Sequence, residues 1–286
     1  MTPQSSIRLP AVAGMFYPAS ATALGAVVDR QLDDARARAR DERGKPERRA
    51  CPKALVVPHA GYVYSGPVAA SAYALLEPFA DQIARIVLIG PSHRVLLEGL
   101  ASPGAAVLRT PLGDVAVDEQ ALAGARERDV RIPANAAAHA HEHSLEVQLP
   151  FLQRVAPRAS IVPLVVGRAS AEEVAATLAA LWGGPETVVV VSSDLSHYLP
   201  YAVGRRADEQ TAARIVALDR APLGGDDACG AAGINGLLAA ARARGLVAEL
   251  VDLRSSGDTA GSRAEVVGYG AFAFYQPRDS KGGRER

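Results

Sequence analysis

Residues 55–66 read LVVPHAGYVYSG. Leu55, Val56 and Val57 make the short continuous apolar run of a strand buried on both faces, and Pro58, which has no backbone N–H to give a ladder, ends it. His59 follows at once, beside Gly61 and ahead of Tyr62 and Tyr64. The same order recurs twice. IVLI (86–89) runs through Gly90, Pro91 and Ser92 to His93, and VVVV (188–191) runs through SSDLS to His197, with Asp194 on the same turn. Three of the chain's six histidines therefore fall just past the carboxyl ends of predicted strands, and two of the three are preceded or followed by glycine. In open α/β sheets that edge is where ligands bind. If the three strands are parallel neighbours, their imidazoles converge. One such histidine is an ordinary loop residue or helix start; three in the same position point to a shared site, with small flanking residues letting backbone approach a bound ion or ligand.

The rest of the chain fits this reading. A fourth apolar run, IVPLVV, spans 161–166, and two further strands are expected at 247–253 and 266–275. Helical spacing marks 66–77, 118–128, 144–155, 171–182, 205–219 and 231–243. An earlier helix is capped by Ser20, carries Leu24, Val27, Val28 and Leu32 on one stripe, and runs into the charged stretch 33–49, read as a solvated helix end and loop. VLRT and DVAV flank a Pro-Leu-Gly turn, predicting a hairpin within 105–117. The expected fold is α/β: one domain over residues 1–276, with a central, largely parallel or mixed sheet flanked by helices on both faces, and a polar, disordered tail over 277–286.

Composition narrows the function classes. The 31 basic and 31 acidic residues cancel, which argues against the basic footprint of a nucleic-acid surface. No segment approaches the roughly 20 apolar residues of a membrane span, and no signal peptide is read at the N-terminus. Cys51 and Cys229 make no disulfide framework, so a reduced, cytoplasmic setting is the expectation. GxSxG, Walker A, GxGxxG and CxxC motifs are absent.

The other histidines lie in HAHEHSLEVQLPFL, 139–152. Alternate residues line up only in an extended chain, so His139, His141 and His143 are not expected to share an ion, and His139 and His141 are read as surface residues. With Ser144 as cap, His143 and Glu146 lie three apart at a helix start and are read as supporting groups that orient a ligand imidazole. Cys229, in DDACGAAGING, precedes a helix whose N-terminus lowers a thiol pKa; it is either a thiolate, as nucleophile or metal ligand, or a small residue packed under glycines. Tyr62 and Tyr64 either line a pocket mouth or pack on the sheet edge.

Taken in order, PHAGYVYSG (58–66), LIGPSHR (88–94), EHSLEVQLPFL (142–152), VVSSDLSHY (190–198) and ACGAAGING (228–236) resemble the MEMO family, whose bacterial and archaeal members are called AmmeMemoRadiSam system protein B. The resemblance runs from AVAGMFYPA (11–19) to GAFAFY (270–275). It implies a fold similar to the class III extradiol (LigB-type) dioxygenases, non-haem iron enzymes that open catechol rings. By motif it places metal ligands at His59, His93 and Cys229 and a catalytic base at His197, with Asp194 setting the tautomer or pKa of that base. It further implies Fe(II) as the cofactor, with Cu or Zn as softer rivals for a thiolate, and radical SAM and AMMECR-type proteins as partners. The expected function is a metal-dependent redox enzyme. Two alternatives are a non-catalytic metal- or peptide-binding scaffold that keeps the cleft, and a metal-assisted hydrolase in which His197 activates water.

Overall fold

A computed structural model of the chain describes residues 6–43, 50–128 and 130–277; part of the charged stretch 33–49 and nearly all of the tail 277–286 lie outside the described residues. Its strands are β1 (Ile7–Arg8), β2 (Ala54–Val57), β3 (Arg85–Pro91), β4 (Leu100–Ala101), β5 (Val107–Thr110) and β6 (Gly113–Ala116), followed by β7 (Ser160–Val166), β8 (Thr187–Ser192), β9 (His197–Leu199), β10 (Val247–Ser255) and β11 (Val266–Tyr275). The helices are α1 (Ala21–Arg43), α2 (Gly66–Tyr73), α3 (Glu119–Arg126), α4 (Ala136–Ala140) and α5 (Leu149–Val155), then α6 (Ala171–Leu181), α7 (Tyr201–Val216), α8 (Ala231–Ala243) and α9 (Ser256–Thr259). Among the described residues, no helix is long and apolar enough to cross a membrane.

The central sheet has the order β10-β11-β2-β8-β3-β7-β4. Its middle is parallel: β2 pairs with β8, β8 with β3, and β3 with β7. These four are the apolar runs of the sequence, and every residue of β2 and β8 is buried, as strands covered on both faces must be. Antiparallel β11 and β10 on one side and β4 on the other make the sheet mixed. The predicted hairpin forms β5–β6, which with β1 makes a separate three-stranded sheet. One group of helices joins α1, α2 and α5, and a second joins α3, α6 and α8, with α8 against β3 and β8. At the edge away from the histidines, the Lys53 ammonium donates to the carbonyls of Trp182, Gly184 and Thr187, tying β2 to the turn before β8.

Helix α8 matches its expected bounds, while α7 begins four residues earlier than the apolar spacing indicated. The larger departure is at 144–155. Glu146–Gln148 form a 3₁₀ turn, and the α-helix begins only at Leu149, with Pro150 in its first turn. Ser144 is no cap: its hydroxyl donates to the Pro91 carbonyl. Proline's missing N–H is harmless only in a first helical turn, so Pro150 was the signal for the later start.

Asp208 of α7 braces the turn that carries the third histidine. It is buried, its Oδ1 accepts from Ser196 N at 3.0 Å, and Gly268 opposite leaves no room for a Cβ. Burial pushes its carboxyl up from 3.8 to about 6. The folded protein therefore keeps this proton over a pH range in which the unfolded chain has lost it. The associated stability is fully present below pH 4 and is lost as pH rises through about 6. A shift of this size corresponds to about 3 kcal/mol. Urea titrations at pH 4 and pH 7 are expected to show Asp208→Asn losing less stability across that range than the wild type by about this amount. Parallel pH profiles for the two proteins would contradict the assignment.

Candidate metal centre

The order β2-β8-β3 brings His59 and His93 to one sheet edge, whereas His197 begins β9, which pairs with β11. His59 leaves β2 and is buried, and its ring is edge-on to that of His93 beyond β3, with centroids 5.2 Å apart. His143 completes the group, 5.4 Å from His59 and 4.7 Å from His93. One ligand atom from each of His59, His93 and His143 lies within 4.8 Å of the others. Cys229 Sγ stands 3.2 Å from His59 Nε2, and Asp194 N donates to that sulfur at 3.3 Å. All four side chains, with Asp194 and His197, line a cavity of about 1010 Å³.

Two of the imidazoles are aimed by a hydrogen-bond partner. Ser192, the last residue of β8, meets His59 Nδ1 at 2.8 Å, leaving Nε2 toward the sulfur. The Ser192 hydroxyl also donates to Ser144 O and accepts from Gln148, which in turn holds the Pro58 carbonyl. Glu142 accepts from His93 N at 2.6 Å and pairs with His93 Nδ1 at 2.9 Å, and it takes the backbone N–H groups of His143 and Ser144. Burial opposes its charge, but the bonds from His93 and the neighbouring amides win and hold its carboxyl down at about 2. Phe16 packs on the other side of His143 at 4.7 Å.

Two glycines make these approaches possible. A Cβ on Gly90 would lie 2.9 Å from Leu145 and 3.0 Å from Ser144, so its space is filled by the 142–145 loop, not by a ligand. A Cβ on Gly230 would meet Ser192 O at 2.8 Å, so glycine lets the chain carrying Cys229 lie against the end of β8.

Several expectations need correcting. Glu146 was read as support for an imidazole. Its two oxygens instead accept from Arg8, the Ala11 and Val12 amides and the Tyr17 hydroxyl, which fastens the N-terminal segment. Glu142 does the supporting, and His143 stands among the candidate ligands rather than behind them. The cause is the 3₁₀ turn, which breaks the helical spacing assumed for 143 and 146. His139 is not on the surface: it is buried, and its Nε2 lies 2.9 Å from Ala101 O. Asp194 Oδ1 accepts from His59 N at 2.7 Å, while His197 donates to the Leu195 backbone. The Cys229 thiol is not lowered: burial, reinforced by Asp194, pushes it up to about 12. Tyr62 is buried, with its hydroxyl on Val147 O, whereas Tyr64 lines the cavity. Glu142 and Ser192 were missed. The only signal for them was position: a carboxylate between two histidines and a hydroxyl ending a strand.

The residues fit a cation. His143 Nδ1 is buried and lies 3.3 Å from Glu142 Oε1 without making a hydrogen bond, so an acceptor-capable nitrogen is left unsatisfied. Burial holds His59 well below its ordinary pKa and His143 at about 4, so both are neutral and offer lone pairs. The sulfur enters such a set only by losing its proton, which a bound cation induces.

The chain matches the family model described as Memo-like protein over residues 8–273. It belongs to the Memo family. Curated members called MEMO1 family protein are 34% identical over 285 residues in Caldivirga maquilingensis, 33% over 285 in Aquifex aeolicus and 37% over 282 in Archaeoglobus fulgidus. In each case the match covers 94% of this chain and 99% of the relative. This Memo chain thus carries its histidine group on a domain of full family length.

Proposed function

We propose that this Memo protein is a metal-dependent redox enzyme whose divalent ion, iron, is held by His59, His93 and Cys229, with His143 adjoining. The observation that carries this reading is the meeting of three imidazoles and one sulfur at the floor of an open cavity. Iron(II) held by these imidazoles and the thiolate would supply Lewis acidity and oxygen activation. The protein's own residues do the remaining work. Ser192 and Glu142 fix the ring orientations of His59 and His93. Phe16 covers one side of His143 against water. Burial lowers the His197 pKa, so its imidazole is a neutral acceptor for the proton of a hydroxyl-bearing substrate in the cavity. Asp194 holds the His59 backbone, and its buried carboxyl is pushed up to about 7.

Anaerobic Fe(II) titration followed in the visible range is expected to give a thiolate-to-iron band and to release a proton from Cys229. Cys229→Ser is expected to lose that band while keeping some iron through the histidines. A band that survives the substitution would remove the sulfur from the set and leave the three histidines. Oxygen consumption over a panel of catechols tests the redox half: uptake that fails in His197→Ala is expected, and silence across the panel would count against ring opening.

A further inference from the structure

A neutral imidazole can ligate through either nitrogen, and the bare one is set by what the other nitrogen meets. Around His59 two backbone carbonyls settle which it is, because a carbonyl only accepts. The first is Pro58 O, 2.9 Å from Gln148 Nε2. Only the nitrogen end of the Gln148 amide can face that carbonyl, so the same nitrogen is also the donor to Ser192 Oγ at 2.8 Å. The oxygen end, Oε1, accepts from the buried Tyr73 hydroxyl at 2.9 Å. The second carbonyl is Ser144 O, 2.6 Å from Ser192 Oγ, and it takes the single proton of that hydroxyl. Ser192 then has only a lone pair left for His59 Nδ1 at 2.8 Å. The proton between them therefore belongs to His59, and its Nε2 is bare. Nε2 faces Cys229 Sγ at 3.2 Å, so the thiol is the donor of that contact in the metal-free protein. Space alone would accept the opposite tautomer: an Nε2–H could donate to the sulfur while the thiol turned to Asp194 O, 3.7 Å away. The selection is made by the direction of the hydrogen bonds in a buried network whose members are all satisfied.

We infer that Ser192, its hydroxyl proton held by the Ser144 carbonyl and its second lone pair taken by Gln148, is a positioning residue that locks His59 in the Nδ1–H tautomer and so presents the Nε2 lone pair to a cation. This rests on the proposed metal-centre reading only for what that lone pair meets; the tautomer is a property of the metal-free chain. The same hydroxyl ties the end of β8 to the loop that carries Glu142 and His143, so the lock and the placing of the other ligands share one atom.

Long-range proton–nitrogen NMR on the full, metal-free chain, isotope-labelled in its histidine nitrogens, reads which ring nitrogen carries the proton; His59 is identified by the signals lost in His59→Ala. The wild type is expected in the Nδ1–H form. A predominant Nε2–H form, or an even mixture, would overturn the inference. In Ser192→Ala the Nδ1–H would be a buried donor without a partner, and His59 is expected to change to the Nε2–H form. Ser192→Thr, which restores a hydroxyl, is expected to return it to Nδ1–H. A ring that stays Nδ1–H in Ser192→Ala removes Ser192 as the lock. Should that variant fail to fold, the wild-type tautomer decides alone. Divalent-metal affinity, read by chelator competition, is expected to fall about 10–100-fold in Ser192→Ala and to recover in Ser192→Thr. A wild type that holds the Nδ1–H form yet takes up no metal overturns the metal-centre reading and leaves the lock standing.

Discussion

Replacing His93 with alanine is expected to weaken divalent-metal binding by more than about a hundredfold, since removing only the groups that orient metal-bound imidazoles costs about 10–100-fold. The same loss is expected for His59→Ala. Chelator competition and elemental analysis of protein purified without chelator would read it. His93 is the cleaner site, because its side chain is 30% exposed and its removal leaves less of a void than that of His59, which is buried and tied to Ser192. His143→Ala separates the possible ligand sets. If three imidazoles hold the ion, it should match His93→Ala; if two imidazoles and the sulfur do, the loss should be smaller and the thiolate-to-iron band should remain. Full metal occupancy in His59→Ala and His93→Ala together would end the proposed mechanism.

The second large effect concerns two nearby glutamates with opposite roles. Glu146 is buried, and its carboxylate pairs with Arg8, whose side chain is itself 9% exposed. Removing one member of a buried pair strands the other charge, and here two backbone amides and a tyrosine hydroxyl as well. Glu146→Ala is therefore expected to destabilise the fold by about 3–5 kcal/mol. Thermal and urea unfolding would show this as a fall in Tm and midpoint. In Glu142→Gln, by contrast, the amide oxygen can still accept from the His143 and Ser144 N–H groups, but the variant loses the acceptor for His93 N and the charge that faces His93 and His143. Its expected signature is a metal affinity lowered about 10–100-fold, with a smaller change in Tm than in Glu146→Ala. If the two variants exchanged signatures, Glu146 and not Glu142 would be the group that serves the metal centre.

The confusion of these two residues shows where reading a sequence succeeds and where it stops. His59, His93 and His197 were legible because strand ends are marked locally, by an apolar run that stops at proline, glycine or serine. Cys229 was legible as a site residue only through the resemblance of ACGAAGING; its neighbourhood by itself suggested a lowered pKa, and burial reverses that. His143 and Glu146 were placed by helical spacing across a segment that is not yet an α-helix. Pro150 carried the correction, since it marks the first turn of the helix that does form. His139 looked like a loop histidine and is buried because Arg8 and the Ala101 carbonyl close around its turn.

What the chain by itself determined was therefore the set of buried strands, the mixed α/β class and the placing of three histidines at strand ends, because backbone burial and chain breaking act between near neighbours. The partnership of Glu142 with His93 and the seat of Cys229 beside His59 were decided only in three dimensions. These pairs join groups 49 and 170 residues apart, and the pKa shifts at the site come largely from desolvation. Those effects depend on which surfaces the sheet order brings together, and no local pattern encodes that order.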